Sequence, residues 1–266
     1  MITYPFNYKR ASSVDEAVAL LGAAPDGKLL AGGQTLIAAM KMRLANPSDL
    51  IDISGIRDLS YIRAGSNAIA IGAATTHYEV ATSKDVVKAI PALAHVASVI
   101  GDPAVRYKGT LGGSVANNDP AADYPAAVLG LGATIKTNRR SIAADDFFQG
   151  MFTTALETGE IVTEISFPVP QKAAYKKFAN PASRYAMAGV FVAKFPSGIR
   201  VAVTGAGPCV FRVPEMEAAL AKSFAPDAIA GIAVDASGLN SDIHGSAEYR
   251  ANLVAVMAKR AVAEVA

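Results

Sequence analysis

The stretch Ala31, Gly32, Gly33, Gln34, Thr35, Leu36 decides how the first part of this chain folds. Lys28 to Ala31 predicts a short buried strand and Thr35 to Leu44 predicts a helix, so the glycine pair lies where a strand passes into a helix. Glycine has no side chain, and the N–H groups of such a loop can therefore turn inward and contact an anion closely. The stretch predicts an anion-binding loop.

A second glycine pair follows later in the chain, within Thr110, Leu111, Gly112, Gly113, Ser114. It lies in the segment from Gly101 to Tyr124, which is dense in Gly, Pro, Asn and Asp, and a loop of that length in a compact domain is usually a binding loop. Two such loops favour one shared ligand that carries a diphosphate. The alternative interpretation is that both are ordinary turns.

Composition narrows the class of partner and the class of cofactor. The 25 basic and 23 acidic side chains nearly balance and no long basic cluster occurs, so nucleic acid is not an expected partner. Cys209 is the single cysteine, and one thiol cannot hold an iron–sulfur cluster or a four-ligand zinc site. The chain starts without the basic and then apolar order of a signal peptide, and no uncharged apolar run is long enough to span a membrane. We therefore expect a soluble cytoplasmic protein.

The pattern of predicted elements divides the chain near Gln171. Residues 1–170 form the larger part, with subdomains at about 1–57 and 58–170, and residues 171–266 form the smaller part. In the smaller part, residues 173–179, 187–195 and 199–205 predict three strands of an antiparallel sheet. Helices are predicted from Pro214, from Pro226 and over 246–265. In the last of these, one face is predicted to carry Tyr249, Leu253, Val256, Met257 and Arg260. The predicted fold class is α+β.

Side chains for catalysis by the chain alone are not evident in the sequence. Gly130 and Gly132 begin like a dinucleotide fingerprint, but Ile135 takes the place of its third glycine, and neither glycine pair has the ending of a P-loop. The three histidines are far apart and lack the spacing of metal ligands. We assign no acid–base catalyst, no nucleophile and no metal ligand, and an enzyme of this kind usually takes its chemistry from a cofactor.

Several motifs along the whole chain resemble those of one known family, the flavoprotein (medium) subunits of the molybdenum hydroxylases. This family includes the medium subunit of carbon monoxide dehydrogenase and the flavin domain of xanthine dehydrogenase. The motifs that carry the resemblance are Tyr4, Pro5, Phe6; residues 31–36; Leu50, Ile51, Asp52, Ile53; residues 72–76; residues 110–114; Asp119, Pro120, Ala121, Ala122, Asp123; and residues 241–250. The paired glycine loops in this order are highly specific to the family.

The resemblance implies that the chain binds FAD in the two-subdomain fold of vanillyl-alcohol oxidase, followed by a small C-terminal α+β domain with a three-stranded antiparallel sheet. It implies that the backbone at Ala31 to Leu36 holds the diphosphate, and that Asp123 contacts the ribose or nearby polar groups. The further residues that it implies in cofactor binding are Thr110, Gly113, Ser114 and Asn117 across from this loop, and also Lys28, Ala74, Thr75, Ile161 and Lys177, the last near the flavin.

Each of these side chains also has an ordinary structural interpretation. Asp123 precedes a predicted helix and is a candidate cap for it, and Thr110 and Asn117 are candidate turn residues. Lys28 and Lys177 are candidate solvated lysines at strand ends, and Ile161 is a candidate core residue.

The resemblance also implies partner subunits. A large subunit would carry the molybdenum cofactor and a small one two [2Fe-2S] clusters, in a dimer of heterotrimers. Substrate would be oxidised at molybdenum, and electrons would cross the clusters to the flavin and pass on to an acceptor. One alternative is a stand-alone flavin-dependent oxidase or reductase of the same fold, which the lack of an evident acid or base disfavours. Another is a nucleotide-binding scaffold without flavin.

Overall fold

The structure is a computed structural model that describes residues 2–266. The first part of the chain forms a three-stranded parallel sheet in the order β1-β3-β2. Its elements are β1 (Asn7–Arg10), α1 (Val14–Ala23), β2 (Gly27–Leu30), α2 (Leu36–Lys41) and β3 (Asp49–Asp52). The predicted order of strand, loop, helix and strand around Gly32 is confirmed. Strand β1 was not predicted, because its four residues are mostly exposed and show no apolar pattern.

The middle of the chain forms a five-stranded antiparallel sheet in the order β4-β5-β10-β6-β7, with helices packed against it. A 3₁₀ turn at Arg57–Leu59 leads into it. The elements are β4 (Ile62–Ala64), β5 (Ala68–Gly72), α3 (His77–Thr82), α4 (Lys84–Ala89), α5 (Pro91–Ser98), α6 (Pro103–Arg106), α7 (Leu111–Asn117), α8 (Tyr124–Gly130), β6 (Thr134–Thr137), β7 (Ser141–Ala143), α9 (Ala144–Phe147), β8 (Phe148–Gly150), β9 (Thr153–Thr154) and β10 (Val162–Pro168).

The prediction of one long loop from Gly101 to Tyr124 is wrong. The segment contains the two short helices α6 and α7. The Asp102 side chain caps α6 by accepting a hydrogen bond from the Val105 amide, and Thr110 caps α7 by accepting one from Gly113. Asp102 and Thr110 are residue types common both in loops and at helix N-termini, and here they cap helices.

The last part of the chain forms a four-stranded antiparallel sheet covered by helices. Its elements are β11 (Lys172–Ala179), β12 (Ala186–Phe195), β13 (Gly198–Thr204), β14 (Phe211–Arg212), α10 (Pro214–Lys222), a 3₁₀ turn at Pro226–Ile229 and α11 (Ala247–Val265). The predicted three strands are present, but the two-residue β14 adds a fourth at the edge. The predicted helix from Pro226 is only the 3₁₀ turn.

Helix α11 buries only part of the face that carries Tyr249, Leu253, Val256, Met257 and Arg260. Leu253 and Met257 are buried, whereas Tyr249 and Arg260 are exposed. The helix also buries the residues Arg250, Val254, Ala258, Ala261 and Val262. Small alanines let the helix lie close to the sheet. The buried Arg250 donates from Nη1 to the Met187 and Gly205 carbonyl oxygens and from Nη2 to Asp242, whereas its Nε has no partner within residues 2–266.

The largest hydrophobic core joins the middle and last parts of the chain. It contains Ile71, Leu93 and Tyr124 from the middle part together with Tyr175 and Phe191 from β11 and β12. A second core lies between the last sheet and α11, and a third lies under the first sheet. Among the helices of residues 2–266, none is both long and apolar enough to cross a membrane.

Candidate cofactor site

A cleft of about 970 Å³ runs between the three parts of the fold. Of the residues predicted to bind a cofactor, those that line the cleft are Lys28, Ala31, Gly32, Gly33, Gln34, Thr35, Leu36, Thr110, Gly113, Ser114, Asn117, Asp123 and Ile161. Folding thus brings the two glycine-containing stretches, which are distant in sequence, onto one cavity.

The first stretch presents unpaired backbone donors. Within the described residues 2–266, the amide N–H groups of the five residues from Gly32 to Leu36 have no hydrogen-bond acceptor. Gly33 adopts a positive φ of 71°, which turns the loop, and Gly32 lies so close to the chain opposite that a Cβ there would lie 2.0 Å from the Lys108 carbonyl oxygen. Consecutive free amides in such a loop form a site for an anion.

The second stretch differs from the first, and our expectation that both would offer bare amides is wrong. The amides of Leu111 and Gly112 donate to the Thr75 and Ala73 carbonyl oxygens at 3.0 and 2.8 Å. The Gly113 amide donates to Thr110 Oγ1 at 3.1 Å. The first two bonds attach the start of α7 to the chain after β5, and together the three bonds use the amides of Leu111, Gly112 and Gly113.

Glycines in the second stretch provide space instead. A Cβ at Gly112 would lie 2.5 Å from the Ala73 Cβ, so only glycine permits this contact between α7 and the chain after β5. Gly113 is exposed in the cleft and faces Ala31 across it. The half-buried side chains of Ser114 and Asn117 continue the same wall along α7. A ligand on the first loop would therefore meet side chains, not amides, on this wall.

Asp123 is buried at the cleft wall and does not cap the helix that it precedes. Its Oδ1 accepts a hydrogen bond from the Tyr175 hydroxyl at 2.6 Å, and its Oδ2 lies 2.9 Å from Lys177 Nζ. Lys177 also donates to the Val99 carbonyl oxygen at 2.9 Å. Burial raises the pKa of Asp123, while the Lys177 charge and the Tyr175 hydrogen bond oppose the rise. The interpretation of Lys177 as a solvated lysine is wrong, since its side chain is only 7% exposed.

Two other predicted residues lie behind the cleft surface. Ala74 is buried in the third core, and the Thr75 hydroxyl is occupied by the backbone of Tyr61, to whose carbonyl oxygen it donates. Ile161 is buried, as its interpretation as a core residue predicts, and it also lines the cleft. Lys28 is exposed at the cleft edge, where its ammonium lies 3.6 Å from Asp26.

Sequence reasoning missed several lining residues. Arg184 and Tyr185 are exposed in the loop after β11, where Arg184 takes a positive φ of 63°. His77 is buried at the start of α3; burial and then the nearby Arg106 lower its pKa to about 4, so it is neutral at physiological pH. Glu160 is buried before β10. Little in the local pattern marks these lining residues. Tyr175 lies in the core behind the cleft, and its shared strand face with Lys177 is a signal that could have found it.

Comparisons with known proteins show the family to which this chain is similar. Residues 4–170 match the family described as FAD binding domain in molybdopterin dehydrogenase, and residues 173–265 match the CO dehydrogenase flavoprotein C-terminal domain. The glyceraldehyde dehydrogenase medium chain of Sulfolobus acidocaldarius is 38% identical and covers 99% of this chain and 100% of its own length. The carbon monoxide dehydrogenase medium chain of Hydrogenophaga pseudoflava is 37% identical over 98% of this chain and 97% of its own.

A solved structure shows the same fold. A chain of reconstituted CO dehydrogenase from Oligotropha carboxidovorans superposes with a TM-score of 0.91 at 34% sequence identity, covering 99% of this chain and 98% of that one. The chain therefore belongs to the family of FAD-binding medium subunits of the molybdenum hydroxylases. It is a flavoprotein with an FAD-binding domain and a CO dehydrogenase flavoprotein C-terminal domain.

The cleft suits FAD on its own geometry. An FAD molecule carries a diphosphate, and the free amides from Gly32 to Leu36 supply the donors that its oxygens need. The absence of a side chain at Gly113 leaves space in the cleft opposite Ala31. At the wall, the 4% exposed Asp123 carboxylate retains lone pairs that can accept from a hydroxyl group, whereas the Glu160 side chain is fully covered.

Proposed function

We propose that this chain is the FAD-binding electron-transfer subunit of a heteromeric molybdenum hydroxylase. The single observation that carries the proposal is the run of five unpaired amides, Gly32 to Leu36, at a cleft of about 970 Å³ within the described residues 2–266. FAD, when bound, would supply the ability to accept and release electrons singly or in pairs. The chain's own part is to bind and orient it, because no catalytic side chain is assigned.

The roles of the lining residues follow from their chemistry. The amides from Gly32 to Leu36 would hold the diphosphate, with Ala31 and Lys28 at the start of the same loop. Thr110, Ser114 and Asn117 would add side-chain contacts from the α7 wall, where Gly113 leaves room. Asp123 would accept from hydroxyl groups and Lys177 would provide positive charge near the flavin. Ile161 would pack against the cofactor, while Ala74 and Thr75 would support the cleft from behind.

The assembly is proposed from the relatives. Several are named medium chains or subunits, and one is named subunit alpha of a dehydrogenase complex. We propose that this chain joins a large molybdenum-cofactor subunit and a small subunit with two [2Fe-2S] clusters, as a dimer of heterotrimers. Electrons would reach this chain from the clusters and leave to an external acceptor. The fold type of vanillyl-alcohol oxidase, the domain boundary near Gln171 and a cytoplasmic location stay predictions.

Filling the cleft tests the proposal. Ser114 lines the cleft from α7 and is half-buried, so Ser114→Phe should place a ring where the cofactor binds. We expect FAD affinity to fall by more than roughly a hundredfold, while Ser114→Ala loses roughly tenfold or less. The measurement is fluorescence titration of the apoprotein with FAD. Asn252→Phe is the matched control, since Asn252 is exposed on α11 and is not among the cleft residues.

Two results would overturn the proposal. One is a gently purified chain without flavin absorbance that takes up no added FAD. The other is a flavin-bearing chain that turns over a small substrate alone, which would favour the stand-alone oxidase or reductase. Copurification with two further chains, one with molybdenum and one with iron, would support the subunit function.

A further inference from the structure

The buried carboxylate of Asp123 is held by two side chains from a different part of the chain. Tyr175 and Lys177 lie two residues apart on β11, so both point to the same face of the sheet. The Tyr175 hydroxyl lies 2.6 Å from Oδ1 and the Lys177 ammonium 2.9 Å from Oδ2, so each carboxylate oxygen has its own donor. The C-terminal sheet thus determines the orientation of an acidic group at the cofactor cleft.

The neighbouring strand leaves space for this contact. Gly189 on β12 pairs with Lys177 in the antiparallel register. A Cβ on Gly189 would lie 2.2 Å from the Tyr175 hydroxyl oxygen, so any larger residue there would displace the hydroxyl. A glycine inside a strand usually weakens the strand, and here the glycine lies beside one of the two donor atoms that reach Asp123.

Because Asp123 is buried, the charge on its carboxylate depends on the hydrogen bond from Tyr175. Asp123 is buried, and a buried carboxylate stays ionised only when it has enough charged or hydrogen-bonding partners. The titratable groups around Asp123, its two donors included, are by element Lys177 and Tyr175 on β11, Tyr185 after β11, Asp119 before α8, Tyr124 on α8 and His95 on α5. Among these, Tyr175 and Lys177 are the groups that donate to the carboxylate in the described residues.

We propose that Tyr175 is a positioning residue for cofactor binding: its hydroxyl keeps the Asp123 carboxylate ionised and oriented at the cleft wall. The inference rests on the proposed binding of FAD in this cleft and on Asp123 contacting it. It adds that FAD affinity depends on the C-terminal sheet, through a hydroxyl that lies in the core and is not part of the cleft lining.

The experiment compares Tyr175→Phe with Tyr124→Phe in the full chain. Tyr124 is equally buried, and its hydroxyl has no hydrogen-bond partner within residues 2–266, so its loss controls for removal of a buried hydroxyl. Affinity for FAD is measured by fluorescence titration between about pH 5 and about pH 9. Circular dichroism and thermal melting check that each variant folds.

Tyr175→Phe should weaken FAD binding roughly tenfold at the acidic end and approach the wild type at the alkaline end. Without the Tyr175 hydroxyl, the carboxylate form of Asp123 loses a hydrogen-bond donor, so the pKa of Asp123 rises further. Asp123 is then protonated at the acidic end of the pH range. Asp123→Asn should bind weakly at every pH, because it cannot ionise. Tyr124→Phe should follow the wild type throughout.

Other results would contradict either the proposed function or the inference about Tyr175. A wild-type chain that binds no FAD overturns the proposed function, before any variant is considered. A wild-type chain that binds FAD while Tyr175→Phe shows an equal change at every pH, or none, overturns the inference, since a merely structural role has no pH signature. Where Tyr175→Phe fails to fold, Gly189→Ala decides, because it displaces the same hydroxyl and must reproduce the same pH dependence.

Discussion

At the scale of the residue, Glu160 holds a negative charge inside the cleft wall. Its oxygens accept from Arg140 Nε at 2.9 Å, from Arg140 Nη2 at 3.0 Å and from Thr137 Oγ1 at 2.7 Å. The Glu157 amide donates to it at 2.8 Å. These bonds, led by the one from Arg140, lower the pKa of Glu160 to about 2 despite its burial. The charge is therefore present at all physiological pH values.

Substitution of this carboxylate should change how stability depends on pH. Because the pKa of Glu160 is lowered in the folded state, the stabilisation is complete above the ordinary value of 4.5 and is lost as pH falls towards 2. Glu160→Gln should reduce the free energy of unfolding by about 2 kcal/mol at neutral pH and by much less in strong acid. Urea unfolding at a series of pH values measures this difference.

Glu157→Gln is the matched control for this prediction. Glu157 pairs with the same Arg140 but its side chain is 62% exposed, so its loss should cost less than about 0.5 kcal/mol. Equal effects of the two substitutions at every pH would contradict the account of Glu160.

At the scale of the element, Asn118 ends α7 and connects it to a neighbouring hairpin. It takes the left-handed conformation with φ 44° and ψ 50°. Its side-chain amide donates to the Gly150 and Thr153 carbonyl oxygens, both at 2.8 Å, which lie on β8 and β9. Since α7 forms one wall of the cleft, this single residue determines where that wall ends.

Two substitutions at Asn118 should separate backbone conformation from side-chain bonding. Asn118→Gly keeps the left-handed conformation but loses both hydrogen bonds, and should cost about 2 kcal/mol of unfolding free energy. Asn118→Ala loses the bonds and is also strained, and should cost about 1 kcal/mol more. Chemical denaturation of the apoprotein measures both. An alanine variant as stable as the glycine variant would show that the conformation contributes nothing.

The two glycine stretches were predicted to be alike, but they differ in whether their backbone amides are free. Each has a glycine pair followed by a residue with a polar side chain, Gln34 or Ser114, and local chemistry cannot distinguish them. The difference lies in their acceptors, because the amides of Leu111 and Gly112 meet carbonyl groups near Thr75, whereas those of Gly32 to Leu36 meet none in the described chain.

At the scale of the whole molecule, the parts on either side of Gln171 share one core. Phe191 of β12 packs on α8, where a Cβ at Gly130 would lie only 2.8 Å from its ring. Arg200 of β13 donates to the Leu129 carbonyl oxygen at 2.9 Å and to both oxygens of Asp145 at 2.7 and 2.8 Å. The two matched families divide the chain here, but their packing is continuous.

Residues 1–170 should therefore not fold when they are separated from the last part of the chain. A fragment of residues 1–170 would expose the core surface that Tyr175 and Phe191 cover, and we expect it to show no cooperative thermal unfolding and no FAD binding. The full chain is the control, measured by circular dichroism and flavin fluorescence. A fragment that melts cooperatively and binds FAD would show that the larger part is an independent domain.

The sequence by itself determined the local elements and the class of ligand. The strand, glycine loop and helix around Gly32 and the three long strands of the last sheet are confirmed, because each depends on neighbouring residues. Only the tertiary structure decided which amides stay free, that Asp123 meets Tyr175 and Lys177, and that Glu160 and His77 reach the cleft. These contacts join residues far apart in the chain, and their partners depend on how the sheets pack, which no local pattern specifies.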